Sequence, residues 1–288
     1  MALIFRHPFM TERIHRLTVA ICGAGHSGST LLGLVLGSHS RCFYAGEAKK
    51  TLFIGDPKKP LRKRVCKICG EGCVVWSRFE QPPTPDVYAQ VARLTGKPVI
   101  VDSTKKVDWL RARQGELDAA GVPHKRIFLA RDGRAVVNSR VRKYPDEDPI
   151  AVVDGWATQI RETRAFLEER PGDWMLLRYE RLATEPEASV REVCAFLGLP
   201  FEPDMLRYHE REHHPLGGNT GTQSVVARAT EVEDPAFASV PERSRGYYES
   251  LKGGFRLDTR WKTELPLAVR DVFDARAGDL NAPFRWES

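Results

Sequence analysis

The chain has 288 residues, 42% of them hydrophobic and 28% charged, which is enough apolar content for a sizeable core and excludes disorder as the dominant state. At roughly 150 residues per domain, this length allows one large domain or two modest ones. Its 44 Lys and Arg against 38 Asp and Glu give a net charge of +6, which favours anionic ligands without choosing among nucleotide, nucleic acid and acidic surface.

The N-terminal stretch MALIFRHPFMTERIHRL carries Arg6, Glu12 and Arg13 before any adequate apolar run, so neither a signal peptide nor a membrane span is expected. Leu17 to Cys22 form the first apolar strand, which runs into glycines and then into STLLGLVLGSH, a helix ending near Ser38. A second short strand is expected at Arg41 to Tyr44. The polar, basic and proline-containing stretch from Lys49 to Arg64 begins an excursion off the core, extending to about residue 83, that is placed to close over a ligand. A helix follows at Asp86 to Leu94, then a buried strand, Pro98 to Val101, ending on the polar DSTKK. Trp109 to Ala120 is predicted helical with Gly121 as its stop, and Arg126 to Ala130 is a strand leading to another polar tip and helix. A long helix from about Ala151 to Glu169, a strand Trp174 to Leu177 and a helix Ala188 to Leu197 complete the regular pattern. After Leu199 irregular covering structure is expected, with a lid or acceptor-binding region at about 205–260. Strands alternating with long helices predict an α/β fold: a single domain over residues 1–288, with a mostly parallel central sheet flanked by helices.

Residues Gly23 to Thr30, GAGHSGST, have the glycine spacing of a P-loop, but Ser29 stands where the nucleotide-hydrolysing motif requires lysine. Backbone N–H groups of such a loop and of the helix behind it bind phosphate, helped here by the Ser27, Ser29 and Thr30 hydroxyls. An ordinary glycine turn is the competing reading, and the apolar strand before and helix after weigh against it. His26 either touches the ligand or orients the turn.

Arg131 and Arg134 flank Asp132 and Gly133 just after a strand, with Ser139 on the next helix. An arginine there presents a rigid donor fork to a second phosphate; the blander reading is an Arg–Asp pair tying the strand end to its helix. At a third strand tip, Lys105 or Lys106 can neutralise a leaving oxygen, with solvated surface lysine as the competing reading, stronger for Lys106, while Asp102 is read as a cap for the next helix. Glu47, after Gly46, is a candidate general base on an acceptor hydroxyl, although its position alone favours a surface or helix-capping glutamate.

Together HSGSTLLGLVLGSH, VDSTKK, LARDGRAVVNSR and LLRYERLATEPEASVREVCAFLGL resemble segments of the sulfotransferases that use 3'-phosphoadenosine 5'-phosphosulfate. The resemblance spans about residues 18 to 199. It implies that Ser27, Gly28, Ser29 and Thr30 lie on the 5'-phosphosulfate loop and that Arg131 and Ser139 bind the 3'-phosphate. RDGRA and the Gly46-Glu47 pair are similar to protein-tyrosine and some carbohydrate sulfotransferases. There Glu47 matches the base, Lys105 the donor-side lysine, Lys143 a basic contact near the 3'-phosphate and Tyr179 a cofactor-contacting tyrosine. HPLGGNTGT is similar to a late family segment but lacks its usual nearby arginine.

Three of the six cysteines cluster as Cys66, Cys69 and Cys73, whereas structural zinc asks for four ligands. His39, Cys42 or a partner residue is the candidate fourth; free thiols or a Cys66–Cys73 disulfide are favoured over zinc, and no catalytic metal is expected. Trp76 and Phe79 are expected to pack the excursion onto the sheet. His209, His213 and His214 lack the acidic partner of a hydrolase metal motif, and His213 or His214 is the reserve base should Glu47 fail.

These readings converge on a cytoplasmic sulfotransferase that acts on a hydroxyl of a small molecule, carbohydrate or tyrosine, with small molecule or glycan preferred over peptide and no nucleic acid partner. A P-loop nucleotide or small-molecule kinase is the enzymatic alternative, and a nonenzymatic nucleotide-binding protein the other.

Overall fold

The computed structural model describes residues 13–81, 86–231, 240, 242–251 and 254–287. Most of the charged N-terminal stretch lies outside the described residues, as do 82–83 of the expected excursion and 232–239, 241 and 252–253 of the expected lid.

All five predicted strands form: β1 (Leu17–Cys22), β2 (Cys42–Gly46), β3 (Val99–Asp102), β4 (His124–Ala130) and β5 (Trp174–Arg178). They pair in parallel in the order β2-β3-β1-β4-β5. On β1 both alternating sets, Thr18 and Cys22 on one face and Val19 and Ile21 on the other, are buried, so helices must cover both sides of the sheet. The connection from β1 runs outward toward β2 and that from β4 toward β5. A crevice therefore opens between the C-terminal ends of β1 and β4, the usual ligand position in an open α/β sheet. Cys22, the last residue of β1, pairs with Phe128, so β4 runs two residues further and delivers Arg131 beside the loop that leaves β1.

The helices in chain order begin with α1 (Ser29–Gly37), α2 (Leu61–Arg64), α3 (Val87–Thr95) and α4 (Val107–Ala119). They continue with α5 (Gly133–Lys143), α6 (Pro149–Glu168), α7 (Tyr179–Thr184) and α8 (Pro186–Leu197). Helix α6 starts two residues earlier than predicted because Asp148 caps it, accepting from the Ile150 and Ala151 N–H groups, and Pro149 occupies its first position.

The expectation of irregular structure after Leu199 is corrected by α9 (Thr220–Ala229), α10 (Glu242–Glu249), α11 (Trp261–Glu264) and α12 (Leu267–Asn281). In α12, Val269, Phe273 and Ala277 recur every fourth residue and bury a stripe, with the Phe273 ring 5.2 Å from that of Trp156 of α6 and tilted against it. Intervening charged residues mask that stripe in the sequence. Asn281 at the end of α12 accepts from the Gly133 N–H at 2.7 Å, fastening the C-terminal helix to the start of α5.

Trp76 sits 6.1 Å from Phe43 of β2 and 5.7 Å from Phe79, so the excursion packs onto the sheet as expected. Among the described residues, no helix is long and apolar enough to cross a membrane.

Candidate active site

The loop leaving β1 turns on His26 and Gly28, both left-handed with φ of 65° and 91°. Gly28 also lies against Tyr179, where a Cβ would come within 2.6 Å of the ring, so side chains are excluded twice over. Helix α1 begins at Ser29 with no side-chain cap, leaving the N–H groups of its first turn to an anion. Gly25, His26, Gly28, Ser29 and Thr30 line a cavity in the β1–β4 crevice, together with Glu47, Lys105, Arg131, Ser139, Lys143 and Tyr179. Ser27 alone of the eleven sequence candidates does not line it and is buried.

Arg131 and Arg134 take different parts. The Arg134 guanidinium pairs with Asp132 through Nε at 3.0 Å and Nη2 at 2.7 Å, so the blander Arg–Asp reading describes Arg134. Asp132 further accepts from Asn281 and from the Trp286 N–H. Arg131 instead enters the cavity wall. Its Nη1 donates to the His26 carbonyl at 3.0 Å, its Nη2 pairs with Asp258 at 3.2 Å, and its guanidinium lies 4.4 Å over the Tyr179 ring. Its Nε is buried with no protein partner. His26 Nδ1 lies 3.0 Å from Ser139 Oγ. Burial first, then the positive charge of Lys143, Arg131 and Arg140, pulls the His26 imidazole down to about 4, so it is neutral at pH 7.

On the opposite wall, Glu47 receives the Gly218 N–H on Oε1 at 3.2 Å and the Lys50 ammonium on Oε2 at 2.9 Å. Lys105 Nζ donates to the carbonyls of Ile21 at 3.1 Å and Ser103 at 2.6 Å. Burial lowers its pKa to about 8, against the raising influence of Glu47. Asp102 does not cap α4 as expected. It is fully buried and accepts from the Ala48 and Thr104 N–H groups, the Tyr88 hydroxyl and the Trp109 indole, thereby fixing the segments that carry Glu47 and Lys105.

The sequence singled out none of the individual side chains that the 205–260 region brings to this cavity, Tyr247, Tyr248, Arg256, Asp258 and Arg260 among its described residues. Arg256 and Arg260 line the cavity with Tyr247 and Tyr248, and Asp258 bridges Arg131 and Arg260. Against the opposing effect of burial, Arg260 and Arg131 hold the Asp258 carboxyl well below its usual range. Arg256 and Arg260 lie about forty residues beyond HPLGGNTGT, a signal readable in the sequence only as basic and aromatic residues in the 205–260 region. The excursion, in contrast, supplies no lining residue to this cavity among the described residues.

Neither reserve base faces the cavity. His213 is buried, bonded to the Tyr208 carbonyl at 2.9 Å, and His214 stands against the cysteine cluster. His39 and Cys42 are not beside that cluster; His39 Nε2 meets the Pro200 carbonyl at 3.0 Å, and Cys42 is a buried residue of β2. All six thiols are free.

Residues 123–203 match the family model described as the sulfotransferase family. A Caenorhabditis elegans protein named for protein-tyrosine sulfotransferase activity is 32% identical over 92 residues, which are 30% of this chain and 36% of the relative. Carbohydrate sulfotransferase 3 of Tetronarce californica is 30% identical over 104 residues, 29% of this chain and 24% of the relative. The match thus spans about a third or less of these curated relatives. Among solved structures, the sulfotransferase domain of the Synechococcus PCC 7002 olefin synthase superposes with a TM-score of 0.57 at 18% identity, covering 91% of this chain and 95% of that one. Residues 123–203 are thus similar in sequence to the sulfotransferase family, and most of the chain shares the fold of that sulfotransferase domain.

Proposed function

We propose that the protein is an enzyme that transfers the sulfuryl group of 3'-phosphoadenosine 5'-phosphosulfate to an acceptor hydroxyl. The observation that carries this reading is the joining of two anion sites in one crevice: the uncapped start of α1, and Arg131 with Ser139. A donor with phosphate groups at both ends needs that pair, and a nucleoside triphosphate clamp needs the lysine that Ser29 replaces. The residues fit the donor, since Arg131 holds a buried Nε without a protein partner and the first turn of α1 has unclaimed donors.

When bound, the donor supplies an activated sulfuryl group on a phosphate leaving group. The Ser29 and Thr30 hydroxyls and the loop N–H groups would hold the 5' end, while Arg131, Ser139 and Lys143 would hold the 3'-phosphate. Tyr179 would support both through its contacts with Gly28 and Arg131. Glu47 would accept the acceptor proton. The Lys105 ammonium would leave its two carbonyl partners to stabilise charge on the leaving oxygen.

Residues 1–288 form one catalytic unit in this reading, with the 205–260 region as lid and acceptor wall. Tyr208, Tyr247, Tyr248 and Leu251 give that wall the flat apolar surfaces that suit a sugar ring or another small hydroxyl compound. A reducing cytoplasm agrees with six free thiols.

Incubation with sulfur-labelled donor and a panel of glycans, small alcohols, phenols and tyrosine peptides, in magnesium-free buffer, tests the proposal. The expected result is labelled acceptor matched by release of 3'-phosphoadenosine 5'-phosphate, with no gain on adding magnesium. Magnesium-dependent transfer from ATP, with none from the sulfuryl donor, would establish the kinase alternative instead.

A further inference from the structure

The cysteine cluster left outside the crevice is completed by a residue 141 positions away. Cys66 and Cys69 sit on a tight turn, closed by a bridge between Cys66 and Gly70 and by the Ile68 N–H, which donates to Cys66 Sγ at 3.4 Å. Cys73 follows the turn, and His214 approaches from the segment after Tyr208. The Cys66 and Cys69 sulfurs are 3.4 Å apart, and His214 Nδ1 lies 3.3 Å from Cys69 Sγ and 3.5 Å from Cys73 Sγ. All four donor atoms lie within 4.8 Å of one another. Bonds of about 2.3 Å from sulfur and 2.0 Å from nitrogen to a tetrahedral centre set donor separations of roughly 3.5 to 3.8 Å, close to the spacing found.

We propose that Cys66, Cys69, Cys73 and His214 bind one zinc ion in a closed structural site. Three thiolates and an imidazole are soft donors that suit zinc, whereas magnesium and calcium require oxygen. The imidazole is oriented for the purpose: Glu212 lies 2.9 Å from Nε2, so the Nε2–H can donate to its carboxylate and leave the Nδ1 lone pair facing the sulfurs. The indole of Trp76 donates to the His214 carbonyl at 2.5 Å and fixes the backbone of the same residue. Cys66 and Cys73 are buried while Cys69 lies at the solvent rim, which gives an ion a route in. Binding replaces the thiol protons, which pass to solvent.

The ion acts as a clamp. Directly beyond His214, the Pro215 carbonyl accepts from the Lys67 N–H at 3.0 Å, and Leu216 exchanges bonds with the end of β2, donating to Ala45 at 2.9 Å and accepting from the Glu47 N–H at 2.6 Å. Gly218 then reaches the Glu47 carboxylate and Asn219 the Thr30 hydroxyl. A metal joining His214 to the excursion therefore anchors a segment that touches both walls of the crevice. The zinc assignment itself stands on the four ligands and does not depend on the reaction proposed above.

The test uses the full chain, expressed with zinc supplied and purified reduced without chelator. Elemental analysis should find one zinc per chain. Cobalt exchanged for zinc should give the thiolate charge-transfer and intense visible bands of a tetrahedral site, and metal removal should lower Tm by about 10 °C, restored by zinc. Cys69→Ser, at the rim, should weaken retention of zinc in competition with a chromogenic chelator by at least about tenfold, and His214→Cys should keep the metal. The assignment is overturned if the reduced, folded protein takes up neither zinc nor cobalt, if iron or copper fills the site under zinc-replete expression, or if mass spectrometry finds two of the three cysteines joined as a disulfide. The measurements on the unaltered protein decide the matter even where a variant fails to fold.

Discussion

His26 Nδ1 and Ser139 Oγ lie 3.0 Å apart across 113 residues, and this contact joins the loop after β1 to helix α5. The two proposed phosphate sites are therefore one connected unit. Ser139→Ala should weaken 3'-phosphoadenosine 5'-phosphate by about tenfold in calorimetry, the scale of one hydrogen bond to a charged group, and adenosine 5'-phosphate by less. Equal weakening of both nucleotides would place Ser139 in support of the fold instead.

The base assignment predicts that Glu47→Gln lowers kcat by roughly 10² to 10⁴ while nucleotide affinity stays within about twofold. An acceptor with an acidic hydroxyl should recover much of that loss, since it needs less help in losing its proton. Near-normal turnover by Glu47→Gln with an ordinary alcohol acceptor would remove Glu47 from the chemistry. Since His213 and His214 are committed elsewhere, no histidine of that pair stands ready to replace it.

Lys105 supplies a pH signature. Its pKa is lowered to about 8 in the free protein, so its positive charge is lost as the pH rises through that value. The kcat/KM should fall on the alkaline side of about pH 8, and the remaining activity of a Lys105→Arg variant should not fall there, because arginine stays protonated. An unchanged alkaline limb in Lys105→Arg would assign it to another group.

Three histidines, His15, His26 and His213, are each lowered to about 4 mainly by loss of solvent around the ring, against 6.5 ordinarily. The unfolded chain takes up protons that the folded one refuses, so these groups cost nothing well above pH 6.5, and their cost grows as the pH falls from 6.5 toward 4. Tm should decline through that window, and His15→Gln should make the decline shallower. An equally steep decline in His15→Gln would show that His15 stays protonated in the fold.

Much of the sheet was legible because each strand is a short apolar run ending on glycine or polar residues, a pattern set by burial on both faces. The loop before α1 was legible because its chemistry is local. The division between Arg131 and Arg134 was not, since it depends on Asn281, Trp286 and Asp258, which arrive from the far end of the chain. The same holds for His214 beside the cysteines and for Arg256 and Arg260 in the crevice. Helix α12 escaped notice because its apolar stripe is narrow and crossed by Arg270, Asp271, Asp274 and Arg276.

In the proposed function Arg131 makes this crevice a two-phosphate site. Titration calorimetry of 3'-phosphoadenosine 5'-phosphate and adenosine 5'-phosphate against the unaltered protein and Arg131→Ala tests it most directly. A marked preference for the doubly phosphorylated nucleotide is expected, with about 2 to 4 kcal/mol of its binding lost in Arg131→Ala and little change for the other. Equal affinity of the unaltered protein for the two nucleotides would contradict it.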